Sequence, residues 1–330
     1  MQEIALPNNG DKYSARLRRL SRFAWFVLAF TVFVILWGAL VRATGSGAGC
    51  GNHWPLCNGE ILPRSAQFET LVEFGHRLTS GINFLLVLTL SYGVFRNYRR
   101  GHPVRKSATL AVIFIIVEAL IGAGLVLLNL VAESTSILRG YSTSLHLLNT
   151  FFLLASLTIT AKWIGVDFGR QARRVNVNGR ELAMGWFGVT LMGVSGAITA
   201  LGDTLFPANS LIEGFSTDFS AGAHIFLRLR LLHPVLAVLV ALYLLWFSGK
   251  IRSKTSDPIL RRLSSGLSHL VLVQLAAGAL NVFLLAPIWL QIVHLFLADL
   301  LWILLISITA MELEARMETQ SAPLAAAVQA

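Results

Sequence analysis

Apolar residues run along this chain in long blocks, not in alternation or narrow stripes. Eight blocks of about 20 residues stand out, near 22–43, 72–95, 107–129, 141–163, 182–202, 224–248, 265–286 and 288–311. A helix of that length rises about 30 Å, the thickness of a bilayer's hydrocarbon core. Backbone polar groups in lipid must be satisfied within the chain, so such blocks are helices. The period-2 alternation of a membrane barrel is absent. The pattern predicts an all-α integral membrane protein with eight transmembrane helices.

Composition agrees: of 330 residues 55% are hydrophobic and 13% charged, against about 25% charged in an ordinary soluble domain. A net charge of +10 would suit a nucleic-acid surface, but its distribution excludes one. The cations gather in alternate connections: Lys12, Arg16, Arg18, Arg19 and Arg22; Arg96, Arg99, Arg100, Arg105 and Lys106; Lys162, Arg170, Arg173, Arg174 and Arg180; Lys250, Arg252, Lys254, Arg261 and Arg262. Between them the connections hold little beyond Arg42, Arg64 and Arg139. Cation-rich loops stay in the cytoplasm. Both termini are therefore expected inside, with the loops near 44–70, 130–140, 203–223 and 286–290 outside. The first block exceeds the apolar core of a signal peptide and seven more follow it, so it reads as a true span. The segments expected are a cytoplasmic N-terminal piece at 1–21, a four-helix bundle at 22–163, a cytoplasmic linker at 164–181, a second bundle at 182–311 and a disordered cytoplasmic tail at 312–330.

Four of the eight histidines interrupt apolar blocks. His76, His146, His233 and His294 each stand in the outer third of an even-numbered span. His76 and His233 are 157 positions apart, and His146 and His294 are 148 apart. Spans one to four thus look repeated in spans five to eight, as two pseudo-symmetric bundles. "WGALVRATGSG" and "SGAITALGDT" echo each other at the ends of spans one and five. Ionisable residues inside a membrane are costly and mark function. Paired imidazoles on facing helices, with no cysteine or carboxylate nearby, suit haem iron better than zinc. Gly75, Gly81, Gly122, Gly124, Gly196, Ala277 and Gly278 would leave room for a flat macrocycle or for close helix crossings. Nucleotide-binding and nucleophile-elbow motifs are absent.

Cys50 and Cys57 are the two cysteines, both in the first outward loop. A disulfide between them would contribute about 2.5 kcal/mol on the chain-entropy estimate. A loop staple, a redox pair and a metal site with His53 are the three roles open to them. Glu73, His76 and Arg77 open span two. Glu73 and His76 share a helix face, so a carboxylate able to take a proton would sit one turn from a ligand. Arg77 could pair with Glu73 or with a carboxylate-bearing ligand. Glu118, in mid-span three, is either a second proton site or a structural contact.

"GALVRATGSGAGCGNHWPLCNGEILP" followed by "ETLVEFGHRLTSG" resembles the first outer loop and second span of the heme A synthase family, in its bacterial form with a cysteine pair. The likeness continues in "GAITALGDTLFP", "RLLHPVLAV" and "QIVHLFLADLLW". The resemblance implies an oxidoreductase of the bacterial cytoplasmic membrane, serving cytochrome oxidase assembly. It would oxidise the C8 methyl of heme O through an alcohol and a gem-diol to the formyl group of heme A, at sites toward the outer face. It also implies that His76 and His146 take the substrate heme O, that His233 and His294 hold a resident heme b, and that Glu73 is the catalytic carboxylate. Cys50 and Cys57 would be the family's cysteine pair, bonded as a disulfide, and Arg77 a propionate or ion-pair partner. The partners implied are the farnesyl transferase that makes heme O, other assembly factors and membrane lipid, with oligomers compatible. The alternatives are a diheme b-type subunit passing electrons to quinone, and a transporter.

The charge pattern generates a direct test of orientation. Alkaline phosphatase, active only outside, is expected to be active when fused after residue 58 or 210 and inactive after residue 100 or 255. The reverse pattern would invert the topology.

Overall fold

The computed structural model describes residues 9–64, 67–166 and 177–329. Among them the chain forms α1 (Asn9–Ala43), α2 (Phe68–Asn97), α3 (Pro103–Leu127), α4 (Ile137–Trp163), α5 (Gly179–Leu205), α6 (Leu211–Asp218), α7 (Ile225–Arg230), α8 (Leu232–Lys254), α9 (Pro258–Phe283) and α10 (Ile288–Gln329). No strand forms among these residues; one isolated bridge pairs Cys57 with Glu60. Eight of these stretches are long and apolar enough to cross a membrane. The protein is an all-α, multi-pass membrane protein.

Helix ends follow local chemistry. The Ser136 hydroxyl caps α4 at the Leu138 N–H, and Asn178 caps α5 at Arg180. Asp257 accepts from the N–H groups of Ile259 and Leu260 while Pro258 opens α9, where its missing N–H costs nothing.

Three features depart from the sequence reading. The sixth span is two pieces, α7 and α8, with the ladder interrupted at Leu231. Pro234 has no N–H to give the Arg230 carbonyl, which removes a helical bond at that place. The connection before it carries the short helix α6. The tail at 312–330, expected to be disordered, continues α10 in helix to Gln329; its alanines are strong helix formers. Of the expected cytoplasmic segments, residues 1–8 and most of the 164–181 linker, with Arg170, Arg173 and Arg174, lie outside the described residues.

Helices α1 to α4 pack in sequence and close through an α1–α4 contact; α5, α8, α9 and α10 close through α5 and α10. The two rings meet where α1 and α4 touch α5 and α10. That seam carries stacked aromatic rings, and hydrogen bonds cross it. Trp302 stacks on Phe151 with ring centroids 5.1 Å apart and donates its indole N–H to the Phe151 carbonyl at 2.6 Å. Trp163 donates to the Ala310 carbonyl at 3.2 Å across the seam, and within the second ring Trp186 donates to the Thr309 hydroxyl at 3.0 Å. Near the end of α1, Arg42 donates to the Ala200 carbonyl and Thr204 hydroxyl of α5 at 2.5 and 2.6 Å, and to Gln291 of α10 at 2.9 Å.

Trp302 is among the largest fully buried side chains, so its removal probes the seam. W302A is expected to cost about 3–5 kcal/mol, read in detergent as a thermal transition lowered by roughly 6–20 °C. An unchanged transition would mean the two rings are joined elsewhere.

Candidate functional site

The four intramembrane histidines open onto one cavity of about 1470 Å³, which also reaches Glu73 and Glu118. That exceeds the ~300–1,000 Å³ usual for one small-molecule site. The cavity extends across the seam, so the two helix rings share it. His76 lies on α2, His146 on α4, His233 on α8 and His294 on α10.

Each imidazole lies against a glycine of the preceding span. A methyl replacing the glycine hydrogen would sit 2.9 Å from His76 Cε1 at Gly38, 3.1 Å from His233 Cε1 at Gly196 and 3.2 Å from His294 Cε1 at Gly278. At Gly122 it would sit 3.9 Å from His146 Nε2. Any Cβ at the first three positions would push the ring from its place. The arrangement recurs in both halves of the chain and in every odd-to-even helix pair.

The rings differ in what meets Nδ1. His233 Nδ1 shares a hydrogen bond with the Ser195 hydroxyl at 2.9 Å. His146 Nδ1 lies 3.0 Å from Glu118 Oε1, with the N–H turned off the direct line. Nδ1 of His76 and of His294 meets no hydrogen-bond partner among the described residues. His294 Nε2 stands 3.2 Å from Gln274 Nε2.

Glu73 forms the rim. Its residue is 3% exposed, yet both carboxylate oxygens are occupied. Oε2 accepts the backbone N–H of Cys50 at 2.7 Å, and Oε1 accepts from Arg77 Nε at 3.1 Å and from Arg77 Nη2. Arg77 Nη1 donates to the His53 and Leu56 carbonyls at 2.5 and 2.6 Å. Only one Nη2–H of the guanidinium is left over. Arg77 therefore straps α2 to the outward loop while neutralising Glu73. Cys50 and Cys57 are disulfide-bonded and buried, and Asn58 donates its N–H to the Cys50 carbonyl at 2.9 Å. Gly49 makes the approach possible, since a Cβ there would fall 2.6 Å from the Thr70 nitrogen. His53 contributes its carbonyl to this knot, and no group of three or more His, Cys, Asp or Glu able to hold a metal occurs among the described residues.

Sequence reasoning missed several residues here. Arg230 stands three positions before His233, as Glu73 stands before His76, so that spacing could have found it. It donates to Asp218 through Nε at 3.0 Å and through Nη2, and to Asp203 at 2.7 Å. Gly38, Ser195 and Gln274 carry no signal until helices are paired. Asp299 was visible as one acid in an apolar block; it is fully buried, and neither oxygen has a hydrogen-bond partner among the described residues. Glu118 accepts from Asn149 Nδ2 and Thr150 Oγ1, each at 2.5 Å.

Comparison with known proteins follows the same lines. Two Thermus thermophilus proteins named protoheme IX farnesyltransferase are 46% identical over 296 residues, which is 90% of this chain and 49% of each relative. The chain thus spans about half the length of these relatives. A Staphylococcus carnosus heme A synthase is 27% identical over 84% of this chain and 88% of its own. An Exiguobacterium heme A synthase is 38% identical over 33% of this chain and 36% of its own. The COX15-CtaA family, described as cytochrome oxidase assembly protein, matches residues 21–306, and the chain belongs to that family.

Proposed function

We propose that this protein is a heme A synthase, oxidising the C8 methyl of heme O to a formyl group in a bacterial cytoplasmic membrane. The observation that carries the reading is the set of four imidazoles in one cavity, each seated on a glycine, with a single buried carboxylate three residues before His76. In this reading the two helix rings are pseudo-symmetric bundles at 22–163 and 182–311, with both termini inside and the haem sites near the outer face.

The residues present suit a macrocycle. Each pair of imidazoles would offer two ring nitrogens to an iron whose other ligands would come from the porphyrin, not from protein. The cavity is large enough for more than one flat ring. His233 and His294 would hold heme b, which supplies electron transfer when bound. His76 and His146 would take heme O as substrate. His233 is oriented for this by Ser195, and Gly196 and Gly278 leave its ring and that of His294 the space to face the cavity.

Turning a methyl into a formyl group removes electrons and protons and leaves one oxygen on the carbon. A proton acceptor near the macrocycle edge is therefore useful, and Glu73 is the residue for it. Cys50 N–H and Arg77 hold it in one orientation at the cavity wall. The disulfide fixes the loop that supplies this N–H. A diheme electron-transfer subunit would need no such difference between halves; here Glu73 and Arg230, at matching places before His76 and His233, carry opposite charge. The Thermus relatives, named for farnesyl transfer and about twice as long, support a partnership with the enzyme that makes heme O.

Haem extraction tests the whole reading. Purified protein is expected to yield heme b together with heme O or heme A by chromatography; heme b alone, two per chain, would establish the electron-transfer subunit instead. E73Q is expected to keep its haems and lower heme A formation by about 10²–10⁴-fold, whereas normal heme A output would remove Glu73 from the chemistry. Replacing both cysteines by alanine is expected to lower activity less than E73Q does, because the carboxylate stays and only its donor loosens. A loss as deep as that of E73Q would indicate that the pair takes part in the reaction itself.

A further inference from the structure

Glu118 occupies the middle of α3, where an acid is costly unless it is held. Everything that holds it comes from one face of α4. Asn149 Nδ2 donates to Oε2 at 2.5 Å and Thr150 Oγ1 to Oε1 at 2.5 Å, while His146 Nδ1 stands 3.0 Å from Oε1. Asn149 is itself fixed by the Phe114 carbonyl of α3 at 2.9 Å, and the Thr150 hydroxyl also lies 2.9 Å from the His146 carbonyl. Positions 146, 149 and 150 are neighbours on a helix surface, so one carboxylate gathers a whole turn of α4. Both oxygens act as acceptors, which is the pattern of a carboxylate that serves as an anchor.

The two helix rings differ at this point. In each, one histidine of the pair has a polar oxygen close to Nδ1, a formed hydrogen bond at His233 and a close contact off the N–H line at His146. In the first it is the Glu118 carboxylate; in the second it is the Ser195 hydroxyl, at 2.9 Å from His233. A neutral imidazole carries one N–H, and the group that accepts at Nδ1 leaves Nε2 free to bind a metal. A carboxylate in that place also makes the ring a stronger electron donor than a hydroxyl does.

We propose that Glu118 is a positioning residue for His146: it fixes the tautomer that presents Nε2 to the cavity, and its charge gives an iron bound there a lower reduction potential than one bound at His233. The inference rests on the haem-ligand reading of His146 above. Its consequence is a built-in direction, in which an electron leaving the iron of the first ring runs downhill to that of the second.

The test uses full-length protein in detergent, with hemin added as the probe until both pairs are filled, and follows haem absorbance during a redox titration. Wild type is expected to titrate in two steps. E118Q, which keeps an acceptor but removes the charge, is expected to move the lower step to more positive potential and leave the upper step in place. E118D, which keeps the charge, is expected to return the lower step toward the wild-type value. S195A is expected to leave the lower step alone. Two haems bound with both steps unmoved in E118Q would overturn the proposal, as would equal shifts in E118Q and E118D. Should E118Q not fold, Thr150→Val removes a competing donor and leaves the charge. It is expected to move the lower step to more negative potential, and an unmoved step there would overturn the proposal equally. Failure of the parent reading is seen separately, because hemin would then not bind at the first pair in wild type at all.

Discussion

A charge inside a bilayer has to find its partner within the protein, and the knot around Glu73 shows how far the chain is shaped to meet that demand. Left alone at the lipid boundary, the carboxylate would take up a proton or draw in water. Here Arg77 neutralises one oxygen and the Cys50 N–H occupies the other. Arg77 in turn needs acceptors, which the His53 and Leu56 carbonyls provide. Those carbonyls are in position because a disulfide and a close approach at Gly49 fold the loop over α2. Arg42, Arg139 and Arg230 follow the same rule, each satisfied by carbonyls or carboxylates of neighbouring segments.

Within that frame the histidines are placed by absence as much as by contact. Glycine at 38, 196 and 278 removes the Cβ that would crowd the rings of His76, His233 and His294. What then distinguishes the four sites is the atom behind the ring, a carboxylate, a hydroxyl or none. The contact of glycine with histidine recurs in both halves while the charge before it does not: Glu73 and Arg230, each three positions before a histidine, are of opposite sign.

The eight spans were legible because length and apolarity are local properties, and the paired histidines because polar residues in apolar blocks are conspicuous. Spacing alone linked Glu73 to His76. The same spacing would have revealed Arg230, had it been applied to the second half. The partners of Glu118 were not legible, since they depend on the register between α3 and α4, which packing decides. Gly38 escaped notice for the same reason: a glycine in an apolar span has no visible purpose until the ring facing it is known. The break at Leu231 was foreshadowed by Pro234, and the tail, expected to be disordered, continues the last helix through an alanine-rich stretch.

The donor that reaches Glu73 Oε2 is a main-chain amide. Any residue except proline carries that group, so drift in the identity of the loop's polar side chains leaves the bond untouched. What evolution must keep is geometric: the spacing of the two bonded cysteines and the bare Cα at position 49. A descendant of this protein could exchange most of the letters in its outward loop and still present the same hydrogen to the same carboxylate, whereas one inserted residue would take it away.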